Sequence, residues 1–364
     1  MTVSQVVYTI EQLAPRAYQE SYDNAGLNVG DPSQKVTAAL LCLDVTEEIV
    51  KEAIQRKANL IISHHPVIFG GLKQIAGRTE QQRIVSLAIK HDIALYAAHT
   101  NLDSIRGGLN DKMCDKLGLN QRVILQPQKG KLVKIITFVP KSHVEAVRSA
   151  MFNAGAGRIG EYDSCSFNTS GTGTFRAGQN VNPFVGKIGE LHQEEEIKVE
   201  VVAHEHAVSK VVNAMIKAHP YEEVAYDLYP LLNAHPSVGL GMVGVLPKPL
   251  EQKEFLSMVK KVFNANLIKY THSTKQIISK VAVCSGSGAG FIGLAMASNA
   301  DAYVSADFKY HDLQGAPDEL LTVDVGHYES ESPVVEIFYD VLTKKIPNFA
   351  VHLADSMRNP VKYL

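Results

Sequence analysis

The apolar run Leu60-Ile61-Ile62 stops at two histidines, His64-His65, and three further ligand-type side chains, Asp103, His327 and Glu331, follow comparable runs. Residues that close strands in this way collect at the carboxyl edge of a sheet, where open α/β folds place their chemistry. The segments between them agree with such a fold. Ala38 to Leu43 reads as a buried strand ending at Asp44, Glu47 to Arg56 as a helix and Leu60 to Ile62 as a strand. Glu80 to Ile89 then reads as a helix and Ile93 to Ala98 as a strand. Right-handed crossovers in this order make the strands parallel, so Asp44, His64 and His99 share one edge. Ahead of them, Val6, Val7, Ile10 and Leu13 recur at helical spacing, and Ser21 to Gly30 reads as a glycine-punctuated loop.

The pattern changes after Gln126-Pro-Gln-Lys-Gly-Lys131, a polar stretch with proline and glycine. Leu132 to Val139 is strand-like, Val144 to Phe152 helix-like and Gly160 to Phe167 strand-like, while Thr169 to Gln179 suggests a hairpin or flexible loop. Ile197 to Val202, a helix over Ala207 to Lys217, and Val224 to Tyr229 complete two strand-helix-strand halves, which fit a ferredoxin-like α+β domain. Beyond Gly239-Leu-Gly-Met-Val-Gly244 and Pro247-Lys-Pro249 the alternation resumes. A helix over Glu254 to Val262, a strand over Val281 to Val283, a helix over Ile292 to Ala297, and strands over Ala302 to Val304 and Leu321 to Val325 lead to His327. At 364 residues the chain has room for two domains. The expected organisation is an α/β fold with a two-part core, residues 1–130 and 233–364. Its parallel-rich sheets are flanked by helices, and an inserted α+β domain over 131–232 interrupts it.

Three histidines and two carboxylates exceed the three protein ligands that one catalytic ion takes. Two divalent ions roughly 3.5–4 Å apart would share a bridging carboxylate, Asp103 or Glu331, and adjacent histidines can reach one metal each. His327 and Glu331 lie one helical turn apart if a helix begins near Tyr328, and Pro333 suits a first turn. Asp103 also fits a capping role for a helix starting near Gly108, so convergence on strand ends carries the metal reading, not any single spacing. Imidazole and carboxylate suit zinc first, with iron or manganese as alternatives.

A second motif competes. Gly288-Ala-Gly290-Phe-Ile-Gly293 follows a strand, opens a helix and is trailed by Asp307, as a dinucleotide fingerprint would be. Glycine-rich turns before helices are common, and a phosphate-bearing substrate there fits better. His204-Glu-His206 reads as a polar entry to a helix, and Glu194-Glu195-Glu196 as a solvated edge. Ser285 and Ser287 lack the histidine and acid that would mark a nucleophile.

Composition narrows the classes. With 45% apolar and 20% charged residues the chain is an ordinary globular one, and no apolar run is long enough for a membrane span. No secretory leader is visible at Met-Thr-Val-Ser-Gln, which makes the cytoplasm the expected location. A net charge of −2 gives no basic footprint for nucleic acid. Cys42, Cys114, Cys165 and Cys284 are far apart and read as reduced thiols.

Several spaced motifs, in order, resemble one family. Tyr22-Asp-Asn-Ala-Gly-Leu-Asn-Val-Gly30, Leu43-Asp-Val-Thr46, Ser63-His-His-Pro66, His99-Thr-Asn-Leu-Asp103, Cys284 to Gly290 and Gly326-His-Tyr-Glu-Ser-Glu331 resemble the Ngg-interacting-factor-three-like family. Its bacterial members are often labelled type 2 homologues of GTP cyclohydrolase I. The resemblance implies two metal ions per chain on His64, His65, Asp103, His327 and Glu331, in a toroidal homohexamer with the sites facing an inner cavity. It also implies that the inserted segment, with His219-Pro-Tyr-Glu-Glu-Val-Ala-Tyr-Asp-Leu-Tyr229, is similar to PII-like or CutA-like domains, which often form trimers. Met242 departs from the pattern, since many relatives carry a basic residue there. The implied activity is metal-dependent hydrolysis of a nucleotide such as GTP. His99 would be the proton shuttle, the catalytic candidate, and Ser285, Gly286 and Gly288 would lie near the phosphates. The alternative is a metal-binding regulatory or structural assembly without GTP turnover, its ligand sensed by the inserted domain.

Overall fold

Leu40, Leu41, Leu60, Ile61 and Ile62 follow one another without polar alternation, and all are fully buried, as parallel strands covered on both faces must be. In the computed structural model, which describes residues 1–364, they belong to a five-stranded sheet. Its order is Gly26–Val29, Ala94–Ala97, Leu60–Ser63, Ala39–Cys42, Val351–Leu353. The last four strands are parallel and the first is antiparallel. Strand alternation divides the core in two. Leu41, Leu60, Ile62 and Tyr96 pack with Val6 and Ile10 of helix Val3–Glu11 and Phe338 of helix Val334–Lys345. Leu40, Ile61 and Leu95 pack with Ile49 and Val50 of helix Glu47–Gln55 and Ile84 and Val85 of helix Glu80–Lys90. Threonine N-caps start three of these helices: Thr2, Thr46 and Thr79 each accept a backbone N–H three residues on.

A six-stranded sheet runs Lys269–Tyr270, Leu321–Asp324, Ala302–Ala306, Ile277–Ser287, Ala234–Glu251, Asn120–Lys129. Its centre, Ile277–Ser287 with Ala302–Ala306 and Leu321–Asp324, is parallel. Helix Gln252–Val262 covers it through Phe255 and Val259, which pack with Val281, Val283, Val304 and Val323. The architecture is thus mixed α/β with parallel-containing sheets flanked by helices.

The chain forms two compact units, Met1–Gln126 with Ser237–Leu364, and Pro127–Pro236. The second unit has a four-stranded antiparallel sheet ordered Phe167–Arg176, Leu191–His204, Leu132–Pro140, Tyr226–Leu231. With helices Val144–Asn153 and Val208–Ala218 this is the β-α-β-β-α-β ferredoxin-like order.

Local readings fail where turn-forming residues hide strands. Gly26–Val29, expected as loop, pairs with Ala94–Ala97, a partner distant in sequence. The strand expected over Gly160 to Phe167 begins only at Phe167, because Gly157 and Gly160 turn the chain at φ 75° and 58°. The glycine- and threonine-rich stretch that follows, expected as a hairpin or flexible loop, is that strand, held by a ten-residue register against Leu191–Glu200.

Candidate metal centre

His64 and His65 stand just beyond the strand Leu60–Ser63, and both backbone amides donate to the carbonyl of Leu43 at 3.1 Å. Asp103 ends the short helix Thr100–Asp103, which begins three residues after strand Ala94–Ala97. His327 and Glu331 are the first and last residues of helix His327–Glu331, and that turn of helix aims both at one point. Gly326 leads into it at φ 93°, in a space where a Cβ would collide with the Glu329 carboxylate. All five side chains sit at the carboxyl ends of parallel strands, drawn from both large sheets.

The Nδ1 atom of each histidine is already engaged on the outside of the cluster. His64 Nδ1 meets the carbonyl of Ala98 at 2.8 Å, His65 Nδ1 meets Asp44 at 2.7 Å, His327 Nδ1 meets Asp307 at 2.6 Å and His99 Nδ1 meets Asp23 at 2.8 Å. Carbonyls and carboxylates only accept, so in the neutral ring these bonds assign the proton to Nδ1 and leave Nε2 as a lone pair, free to take a second proton or a metal. The inward geometry is then that of ligands. His65 Nε2 and His327 Nε2 lie 2.9 and 2.8 Å from Glu331 Oε2 and 3.4 Å from each other. His64 Nε2 lies 3.7 Å from Asp103 Oδ2 and 3.9 Å from Glu331 Oε1. Lone pairs this close repel one another unless positive charge lies among them, as protons or as metal.

The electrostatics follow from that crowding. Burial opposes a charge on His65, yet Asp44 and Glu331 together hold its pKa up at about 10. Glu331 and then Asp307 raise His327 to about 9 against the cost of burial. Burial pushes the His64 ring down to about 3, so it stays neutral, with a buried Nε2 that has no hydrogen-bond partner. Burial and the charge of Glu331 raise the Asp103 carboxyl. Burial also opposes ionisation of Glu331, but bonds from His327 and His65 hold it below the usual carboxylate range. Two groups have their ligand-type atoms close enough together that they could hold a metal ion: His64, His65 and His99, and His65, His327 and Glu331. Beside them a cleft of about 550 Å³ is lined by Asp44, His65, Lys269, Asp307, His327 and Tyr328, among others.

The remaining candidates separate. His99 belongs to the cluster, its ring centroid 5.2 and 5.3 Å from those of His64 and His65. Ser285 Oγ donates to Asp103 Oδ1 at 3.1 Å, and Gly286 N donates to Ser330 Oγ at 3.0 Å. Gly286, at φ 59°, leaves no space for a Cβ beside Glu331, and Gly288 lies bare against Ser305 and Tyr303. The glycine motif opens only a six-residue helix, and Asp307, weighed above as the trailing residue of a dinucleotide fingerprint, is bound to His327. Gly108 caps the helix Leu109–Lys116 without a side chain, and Asp103 faces the cluster instead. Met242 is fully buried in the core, so this position faces no substrate. His204 stacks on His206 and on His235, whose part the sequence did not suggest. Asp23, Asp44 and Asp307 bind the outer faces of His99, His65 and His327, pairings that spacing along the chain did not suggest.

Comparison with known proteins fits this geometry. The family model described as Duf34/NIF3 (NGG1p interacting factor 3) matches residues 1–360. The chain is 44% identical to a GTP cyclohydrolase 1 type 2 homolog of Halalkalibacterium halodurans over 324 residues, 88% of this chain and 87% of that protein. Its counterpart in Bacillus subtilis is 37% identical over 370 residues, 99% and 98% of the two chains. Among solved structures, a Bacillus cereus protein related to NIF3 superposes with a TM-score of 0.87 at 36% identity, covering 100% of this chain and 99% of its own.

Proposed function

The chain belongs to the Duf34/NIF3 (NGG1p interacting factor 3) family, and from that premise we propose that it is a dinuclear-metal hydrolase acting on a nucleotide. The observation that carries the reading is the set of Nε2 lone pairs turned inward on two buried carboxylates, with His64 Nε2 left without a partner. Oxygen and imidazole donors in this number fit two borderline ions, with zinc first and iron or manganese also suited. His64, His65, Asp103, His327 and Glu331 would hold them. Such ions supply Lewis-acid polarisation and a water-derived nucleophile near neutral pH.

The chain's own residues do the rest. Asp44 and Asp307 hold the rings of His65 and His327 with Nε2 inward and raise their basicity. Asp23, also bound by the amide and hydroxyl of Thr100, orients His99 so that its Nε2 is the atom that takes and returns a proton. Ser285 and Gly286 keep Asp103 and Glu331 in place, and their loop borders the phosphate end of the substrate. The neighbouring cleft has the volume of a nucleotide-sized site. GTP is the first substrate to test, because the similar bacterial proteins carry that name.

The experiment measures metal per chain by mass spectrometry and GTP turnover on the same samples of wild type, Asp103→Ala and His99→Ala. Wild type is expected to hold two ions and turn over substrate, Asp103→Ala to lose ions and turnover together, and His99→Ala to keep the ions and lose turnover. Two ions without turnover of any nucleotide would overturn the hydrolase reading.

A further inference from the structure

The unit Pro127–Pro236 has its helices on one face of its sheet. Val133, Ile135, Val139, Val199 and Val201 pack against helices Val144–Asn153 and Val208–Ala218. The alternate residues point the other way, and the register there sets Gly171 opposite Glu196 and Gly173 opposite Glu194. Over this side opens a cleft of about 640 Å³, large enough to enclose a small organic molecule.

Its floor is made by omission. Nothing lies within 4 Å of the place a Cβ on Gly171 would occupy, and the place beside Gly173 is taken by the Glu196 carboxylate. Aromatic rings form the walls. The centroid of Tyr221 is 6.2 Å from those of both Phe175 and Phe184, with the ring planes tilted by 59° and 49°. The run Glu194-Glu195-Glu196, expected as a solvated edge, is split by strand alternation. Glu195 is exposed, while Glu194 and Glu196 are half-buried on the cleft side.

Charge selects the occupant. Glu194 is bound by His192 Nε2 at 2.9 Å and Lys198 is paired with Glu200, but Glu196 enters no ion pair. The buried Tyr221 hydroxyl lies beside it and turns toward its carboxylate, a neutral neighbour that leaves the charge of Glu196 without a counter-ion. Of the cations lining the cleft, Arg176 is exposed to solvent and Lys198 is already neutralised. Ring faces carry partial negative charge, so an unpaired carboxylate among them attracts a cation and repels an anion. A neutral apolar molecule would leave Glu196 desolvated and unpaired, at a cost.

We propose that this cleft binds a small organic cation, an ammonium or quaternary amine whose charge sits between Glu196 and the rings of Phe175, Phe184 and Tyr221. The cleft is lined wholly by residues of Pro127–Pro236, the unit that carries none of the proposed metal ligands. The test is calorimetric titration of the full chain with choline and with its neutral isostere 3,3-dimethylbutan-1-ol. Choline is expected to bind at least about tenfold more tightly than the isostere, and Glu196→Gln to weaken choline by about tenfold. Gly171→Val fills the open floor with a residue suited to a strand and should abolish binding while circular dichroism stays unchanged. Equal binding of choline and isostere, or unchanged choline binding by either variant, would overturn the proposal. So would absence of choline binding to wild type up to the millimolar range.

Discussion

Asp44 and Asp307 are about half exposed, yet each fixes an imidazole in the one orientation that presents Nε2 to the cluster. Carboxylate–histidine pairs of this kind commonly change metal affinity by about 10–100-fold. Asp44→Asn and Asp307→Asn are therefore expected to weaken ion binding by about that factor while leaving secondary structure intact, as read by competition with a chelator of known affinity. An unchanged affinity in both would show that packing alone holds the rings. That the five inward side chains gather in one place was legible in the sequence, because a strand end announces itself by where an apolar run stops. Their aspartate partners were not. Asp23, Asp44 and Asp307 come from three separate loops, and which carboxylate meets which ring is decided by how the strands line up, not by spacing along the chain.

At the scale of elements, the parallel strands were legible because continuous apolar runs have few alternatives once they exceed one face. The edge strand Val351–Leu353 was not, being three residues long and paired with Ala39–Leu41 from the other end of the sequence. Glu52 of helix Glu47–Gln55 anchors the segment after that strand. Its two carboxylate oxygens accept the amides of Asp355 and Ser356 at 2.9 and 2.8 Å, and Arg56 Nε pairs with it at 2.8 Å. Burial works against the Glu52 charge, but those bonds outweigh it and hold its pKa below the usual range. A depressed folded-state pKa contributes stability that is present above the unfolded value and lost as pH falls through the folded one. Glu52→Gln is expected to cost about 1–2 kcal/mol near neutral pH. Denaturant titrations of wild type and variant should converge as the pH drops below about 4; a gap that stays constant with pH would mean the charge plays no part.

At the scale of the whole molecule, the apolar interior is divided as the chain is. Met151, Met215, Val199 and Val211 belong to one cluster within Pro127–Pro236, and the proposed metal ligands lie in the other unit. Met215→Ala is expected to destabilise its own unit by about 2–5 kcal/mol. Metal content per chain should remain that of wild type, which mass spectrometry and scanning calorimetry on one preparation would check. The division also orders events during synthesis. Because His64 and Asp103 precede the second unit while His327 and Glu331 follow it, a ribosome has translated more than two hundred further codons before the half-made cluster gains its remaining side chains. A nascent chain stalled anywhere in that interval carries His64, His65 and His99 but lacks His327 and Glu331, so of the two groups that could hold an ion only the first can assemble before the polypeptide is nearly finished.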